Sequence, residues 1–271
     1  MVAAAIVTLL LSQERPSTLT GTVRQLPDFE SKILGNKRTI TTWLPPGYQT
    51  STARYPVLIM LDGQNLFDGA KSFIPGEEWR ADETAAMLIE AKLAEPFIIV
   101  GVDNTGASRM DEYTTIKTER GAGKGDAFGR FLTDELMPVI HKSFRTKTGA
   151  ANLGIAGASL GGLISLHLGL TRPAHFGRIG GVSPSVWWGD RHLLKTAATF
   201  KGTRPKVWLD IGTSESRDAA PDARALRDVL VRKGWILGKD LVYVQEIGGE
   251  HNERAWARRL GEMMIYLFPK K

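Results

Sequence analysis

The sequence predicts an α/β protein whose central sheet is mainly parallel, with helices on both faces. Short apolar runs rich in β-branched residues alternate with longer segments of helical period, which is typical of repeated strand and helix units. No repeat, low-complexity tract or linker interrupts the sequence after about residue 16. At 271 residues with 42% hydrophobic content, the chain is long enough to bury one large core. We therefore expect a single domain over residues 16–271.

The order of the predicted elements defines the sheet. Two early strands, around TLTGTVRQL and RTITTWL, are joined by a short link, which predicts an antiparallel edge. Six buried strands are then predicted at residues 55–63, 96–104, 151–157, 179–183, 206–212 and 241–249. Apolar stripes at helical spacing lie between them, over about 126–144 (with Pro138 a predicted kink), 160–170, 223–230 and 256–267. We assign these stripes to core packing.

Composition excludes several classes of site. The formal net charge is +6, but basic and acidic residues are interspersed, which indicates a solvated surface and no nucleic-acid partner. The chain has no cysteine, so disulfides, thiolate metal sites and cysteine nucleophiles are excluded. The histidines show no pair at metal-ligand spacing. We expect neither a metal ion nor a cofactor, and the sequence leaves the oligomeric state open.

The first 15 residues carry an apolar run from Val2 to Leu11 that is too short to span a bilayer. Its length matches the apolar region of a signal peptide, although the positive segment that usually precedes it is missing. The alternative is an N-terminal extension that docks on the domain. The run favours a periplasmic or secreted protein over a cytoplasmic one, with no integral membrane span.

A candidate nucleophile lies in GASLGG at residues 157–162. Ser159 stands where the predicted strand 151–157 passes directly into an apolar helix, the context of a nucleophile elbow. Such a turn needs tiny residues two before and two after the serine, because strand and helix backbones nearly touch. Gly157 and Gly161 meet that demand. The context, more than the motif, indicates catalysis.

A serine nucleophile needs a base and an acid, each after a later strand. His251 follows the last strand in GGEHNERAW and is the candidate base. The acid should follow the preceding strand, KVWLDIGTSESRD, which offers Asp210, Glu215 and Asp218; we favour Glu215, since it stands in the loop proper. Backbone N–H groups of Leu160 and of Gln64, which follows the first central strand, are the candidate oxyanion hole.

The sequence resembles the esterase-D-like or enterochelin-esterase-like branch of the α/β-hydrolases, which includes feruloyl and acetylxylan carbohydrate esterases and mycolyltransferases. The resemblance is carried by YPVLIMLDGQNLFD, EEWRADETAAMLI, GIAGASLGGLISLHLGL, FGRIGGVSPSVWW, DIGTSE and GGEHNERAW. It implies an α/β-hydrolase fold. In relatives a G-T-x-acid sequence carries the triad carboxylate, which supports Glu215 in GTSE, and the resemblance also implies that Gln64 contributes an oxyanion N–H.

The predicted function is a serine carboxylic-ester hydrolase that acts on short acyl, aryl or carbohydrate-linked esters. Acyl transfer with the same triad is one alternative, and a non-catalytic carbohydrate-binding protein on a hydrolase scaffold is another. Trp187, Trp188 and Trp79 are expected to wall the pocket, with core packing as the alternative. Arg109 is expected to bind a polar substrate group or to belong to a surface ion-pair cluster.

Overall fold

A computed structural model describes residues 15–270 of the chain. Its centre is an eight-stranded sheet in the order β1-β2-β4-β3-β5-β6-β7-β8. The strands are β1 (Thr22–Ser31), β2 (Asn36–Leu44), β3 (Val57–Leu61), β4 (Ile98–Val102), β5 (Leu153–Ala158), β6 (Arg178–Val182), β7 (Lys206–Gly212) and β8 (Leu241–Glu246). The predicted signal-peptide run lies outside the described residues.

Strand directions follow the prediction. β1 pairs antiparallel with β2, and β2 pairs antiparallel with β4, so the N-terminal edge is antiparallel. The remaining neighbours, from β4 through β8, all pair in parallel. This order and these directions are those of an α/β-hydrolase sheet, and the predicted fold is confirmed.

Helices cover both faces of the sheet. They are α1 (Ala81–Glu90), α2 (Arg109–Glu112), α3 (Gly125–Arg130), α4 (Met137–Ser143), α5 (Leu160–Thr171), α6 (Trp188–Ala198), α7 (Ala219–Arg232) and α8 (Glu253–Leu267). The buried side chains form two clusters, one on each face. Side chains of β3 point alternately to the two faces and so belong to both clusters. Val57, Ile59 and Leu61 lie in one cluster, and Leu58 and Met60 lie in the other. The second cluster contains the apolar residues of α1 and α8.

The predicted helix over residues 126–144 is divided. A π-helical turn, Phe131–Leu136, joins α3 to α4, and Pro138 stands in the first turn of α4. A proline has no N–H to donate to the preceding turn, which agrees with an irregularity just before it. Within residues 15–270, no helix combines the length and apolar character needed to cross a bilayer.

Candidate active site

Ser159 occupies a strained turn between β5 and α5. Its φ of 59° and ψ of −123° lie outside the regions that non-glycine residues favour. A Cβ added at Gly157 would come within 3.0 Å of Gly161 backbone atoms, so strand and helix do touch there. At Gly161 the first obstacle is instead a side-chain oxygen of Asp62, 3.3 Å away. The turn therefore holds Ser159 at the carboxyl edge of the sheet through close backbone contact at Gly157.

His251 and Glu215 meet at the same edge. His251 lies between β8 and α8, and its Nδ1 is 2.7 Å from Oε2 of Glu215, in the loop after β7. A proton on Nδ1 in this contact leaves Nε2 unprotonated and able to act as a base. The imidazole ring also stands edge-on to Trp256, with ring centroids 5.1 Å apart. The structure thus brings the predicted base and one of the three candidate acids into direct contact.

Glu215 is held as a carboxylate by several donors. Its Oε1 accepts hydrogen bonds from the hydroxyl of Ser183 at 2.5 Å and from the backbone N–H of Gly212 at 2.8 Å. Burial alone would raise the pKa of Glu215, but these hydrogen bonds and the one with His251 outweigh burial and lower it. Glu215 is therefore ionised at neutral pH and can stabilise a positive imidazolium.

The other two candidate acids occupy different positions. Asp210 is fully buried in β7, where its carboxylate accepts from Trp208 Nε1 at 2.6 Å and pairs with Arg259 Nε at 3.0 Å. Burial raises the pKa of Asp210 to about 6. Asp218 is exposed and stands immediately before α7. Among the described residues only Glu215, of the three, has a hydrogen bond to His251.

A cavity of about 580 Å³, here called the Ser159 cavity, opens beside these groups. It is large enough for a drug-sized ligand. Apolar side chains and polar groups share its wall, which is formed by Asp62, Gln64, Asn65, Phe73, Ile74, Trp79, Asn104, Gly106, Arg109, Ala158, Ser159, His251, Glu253 and Trp256. Ser159 Oγ lies 3.4 Å from Ser185 Oγ, and no hydrogen bond joins it to His251 among residues 15–270.

The two predicted oxyanion donors follow the neighbouring strands β3 and β5. Gln64 belongs to the short 3₁₀ turn Gly63–Asn65 that follows β3, and it lines the cavity. Its side-chain oxygen accepts from the backbone N–H of Asn104 at 3.2 Å, which ties the turn to the loop after β4. Leu160 opens α5, where the first N–H groups have no acceptor within the helix. Since β3 and β5 are parallel neighbours, both residues stand at the same edge of the sheet as Ser159.

Arg109 lines the cavity but is committed to a protein partner. Its Nε and Nη2 donate to the two oxygens of Asp62 at 2.7 and 2.8 Å. Asn104 Nδ2 donates to the same carboxylate at 2.7 Å. Asp62 in turn has a left-handed backbone, with a φ of 57°, at the start of the turn that carries Gln64. The Arg109–Asp62 pair thus braces the turn that carries Gln64. The sequence allowed an ion pair for Arg109 but did not indicate this partner.

Of the three tryptophans considered for the pocket wall, one lines the Ser159 cavity, and Trp188 takes the alternative of core packing. Trp79 lines the Ser159 cavity, whereas Trp187 and Trp188 lie at a separate depression beside residues 118–120. Trp188 is buried and its Nε1 donates to the carbonyl of Ile116 at 3.4 Å, so packing against that segment turns the ring from the cavity. Trp256, which the sequence analysis assigned to core packing, lines the Ser159 cavity and lies edge-on to His251. In the sequence Trp256 belongs to an apolar stripe of helical spacing, which predicts core packing. Only its nearness to His251 in the sequence could have indicated a position at the cavity.

The chain is similar to known proteins over most of its length. A family profile described as Putative esterase matches residues 31–267. Bacillus subtilis YbbA is 28% identical over 250 residues, covering 87% of this chain and 94% of YbbA. The ferri-bacillibactin esterase BesA of Bacillus subtilis is 24% identical over 200 residues, covering 69% of this chain and 68% of BesA. The solved BES protein from Bacillus cereus has a TM-score of 0.73 at 22% identity, covering 94% of this chain and 98% of that one. This structural likeness supports the fold.

Proposed function

Since the chain belongs to the Putative esterase family and is an ester hydrolase, we propose that it acts through a Ser159–His251–Glu215 triad and an acyl-enzyme. The observation that carries the proposal is the 2.7 Å contact between His251 and Glu215, beside a serine in a strained elbow on the same cavity. A nucleophile, a base and an acid that orients the base are the parts that this chemistry requires.

In the first half of the proposed reaction, Ser159 is acylated. Its hydroxyl turns from Ser185 towards His251, Nε2 takes the proton, and Oγ attacks the ester carbonyl. The backbone N–H groups of Gln64 and Leu160 donate to the oxygen of the tetrahedral intermediate. His251 then gives its proton to the leaving alcohol, and the acyl group stays on Ser159. Glu215 stabilises the imidazolium throughout.

In the second half, water replaces the alcohol. His251 removes a proton from the water, whose oxygen attacks the acyl carbonyl, and the same two N–H groups hold the new oxyanion. Collapse of this intermediate breaks the bond to Oγ, which recovers its proton from His251. The acid is released and the enzyme is regenerated without a metal ion or a cofactor.

The proposed substrates are short acyl, aryl or carbohydrate-linked esters. Phe73, Trp79 and Trp256 supply aromatic surface in the Ser159 cavity, while Asn65 and Asn104 supply hydrogen-bonding groups. A volume of about 580 Å³ suits a ring-sized group better than a long fatty-acyl chain. Acetyl and aryl esters should therefore be cleaved with higher kcat/KM than long-chain esters.

Replacement of the nucleophile tests the proposal. Ser159→Ala should lower kcat for an aryl acetate by at least about a thousandfold, as removal of a triad serine does in other hydrolases. A fluorophosphonate should add to the wild-type protein at Ser159, as read by mass spectrometry, and not to the variant. Ser165→Ala, which changes a serine within α5 whose hydroxyl donates to the carbonyl of Gly161, is the matched control. Turnover by Ser159→Ala close to the wild-type rate would refute the triad.

We also propose that the protein is exported, which the apolar run at residues 2–11 supports. Expression of the full chain followed by N-terminal sequencing of the mature protein tests this. A retained N-terminus and recovery from the cytoplasmic fraction would refute export.

A further inference from the structure

Glu253 places a carboxyl group in the Ser159 cavity that the proposed triad does not use. It is the first residue of α8, it lines the cavity, and it is only 8% exposed. The preceding residue, Asn252, caps the helix by accepting from the N–H of Ala255 at 3.0 Å. The cap fixes where the helix begins, and a negative charge in the first turn is favoured by the helix dipole. Glu253 is thus held at the cavity wall by the helix itself.

The Glu253 carboxyl has few protein partners. Within the described part of the chain one side chain donates to it, Asn65 Nδ2 at 3.2 Å, and no cationic side chain lies within 4.0 Å. The nearby cations are committed elsewhere, since Arg109 holds Asp62 and Arg254 pairs with Glu77 at 3.0 Å. A carboxylate can accept about four hydrogen bonds. Glu253 therefore retains acceptor capacity next to the substrate space.

The surroundings of Glu253 favour a ligand that uses this free acceptor capacity. Burial raises the pKa of Glu253, and the carboxylates of Glu77 and Asp62 raise it further, while a hydrogen bond from its own backbone N–H and the nearby His251 lower it, so that the pKa is raised overall. The protein therefore compensates the charged form only in part. A ligand group that donates a hydrogen bond or carries a positive charge would replace the lost hydration, whereas a carboxylate would add to the repulsion.

We infer that Glu253 is a specificity-determining residue that favours substrates with a hydroxyl or cationic group at this wall and disfavours anionic ones. The inference rests on the proposed ester hydrolysis. Two unit charges about 5 Å apart, at an effective dielectric constant of about 20, can change binding by about a hundredfold. Because the ligand charge would lie near a solvent-filled cavity, we expect a smaller change in binding, of about tenfold.

Isosteric esters with and without a positive charge test the inference. Acetylcholine and 3,3-dimethylbutyl acetate carry the difference in the alcohol half. The 4-nitrophenyl esters of 4-(trimethylammonio)butyrate and 5,5-dimethylhexanoate carry it in the acyl half. The charge preference within each pair is the kcat/KM of the cationic ester divided by the kcat/KM of the neutral ester. In at least one pair, Glu253→Gln should lower this ratio by about tenfold. Most of this change should appear in KM.

Two variants control the measurement. Glu262→Gln removes a carboxylate from the exposed side of the same helix and should leave both ratios unchanged. Glu253→Asp keeps the charge and should retain most of the discrimination. If the glutamine variant fails to fold, as judged by circular dichroism, Glu253→Ala is the neutral substitute.

The outcomes separate the two proposals. The role of Glu253 would be overturned if loss of its carboxylate left the charge-preference ratio unchanged in both ester pairs. It would also be overturned if kcat fell equally for cationic and neutral esters. Hydrolysis that persists in Ser159→Ala would instead overturn the triad.

Discussion

Arg259→Met is expected to destabilise the fold, because the Arg259 guanidinium joins several groups next to Glu215, the proposed triad acid. The side chain is 4% exposed, and its Nε lies 3.0 Å from a carboxylate oxygen of Asp210. Its Nη2 donates at 2.7 Å to the hydroxyl of Ser183, which itself donates to Glu215. It also pairs with Glu246. Methionine keeps much of the apolar stem but removes the charge and all donors.

The size of the effect follows from the burial of Asp210. Breaking a buried ion pair by removing one partner costs about 3–5 kcal/mol of unfolding free energy. Burial already raises the pKa of Asp210 to about 6 with Arg259 present, and loss of the cation raises it further. Because the folded-state pKa exceeds the ordinary value of 3.8, the stability contributed by Asp210 is present at low pH and is lost as the pH rises through about 6. The decrease in unfolding free energy caused by Arg259→Met, here called the deficit, should therefore be larger at about pH 8 than at about pH 5.

Urea unfolding followed by tryptophan fluorescence at the two pH values measures this deficit. The matched control is Arg258→Met, since Arg258 pairs with the same Glu246 at 2.9 Å but is 56% exposed. An exposed pair contributes about 0–1 kcal/mol, so the control should change little at either pH. In an Asp210→Asn background, Arg259→Met should cost at least about 1 kcal/mol less than in the wild type. Equal destabilisation by the two arginine variants, or a deficit that does not depend on pH, would refute the reasoning.

Three further outcomes are expected. Glu215→Gln should lower kcat by about 10³–10⁴, since an amide neither orients nor stabilises the imidazolium of His251. Asp218→Asn should change kcat by less than about threefold. A larger loss of kcat in the Asp218 variant than in the Glu215 variant would show that Asp218 is the acid. The kcat/KM of the wild type should rise in one step from acidic to alkaline pH and then level off, because the imidazole must be neutral to act as a base, and a flat profile would contradict this role. Trp256→Ala should weaken hydrolysis of aryl esters more than that of acetyl esters, while Trp187→Ala should leave the ratio unchanged, and the reverse result would relocate the aromatic subsite.

Much of the sheet, and the nucleophile and base of the candidate triad, could be predicted from the sequence because both depend on chain order. Buried strands are read from continuous apolar runs, and the carboxyl ends of parallel strands meet at one edge of a sheet. Residues that follow such strands closely, Ser159 immediately after β5 and His251 in the short loop after β8, are therefore expected near one another before any packing is known. The tight turn at Ser159 is similarly local, since Gly157 precedes it by two residues.

The choice among the acids needed the tertiary structure, since Asp210, Glu215 and Asp218 all lie in or shortly after the same strand, β7. Their roles separate only through contacts with distant residues, such as Arg259 beside Asp210 and His251 beside Glu215. Aromatic placement was decided in the same way. A tryptophan next to a strand end can face either the cavity or a neighbouring loop, and packing against Ile116 turned Trp188 away. Sequence patterns specify which face of an element is apolar, whereas the partner of a side chain depends on how separate elements pack together.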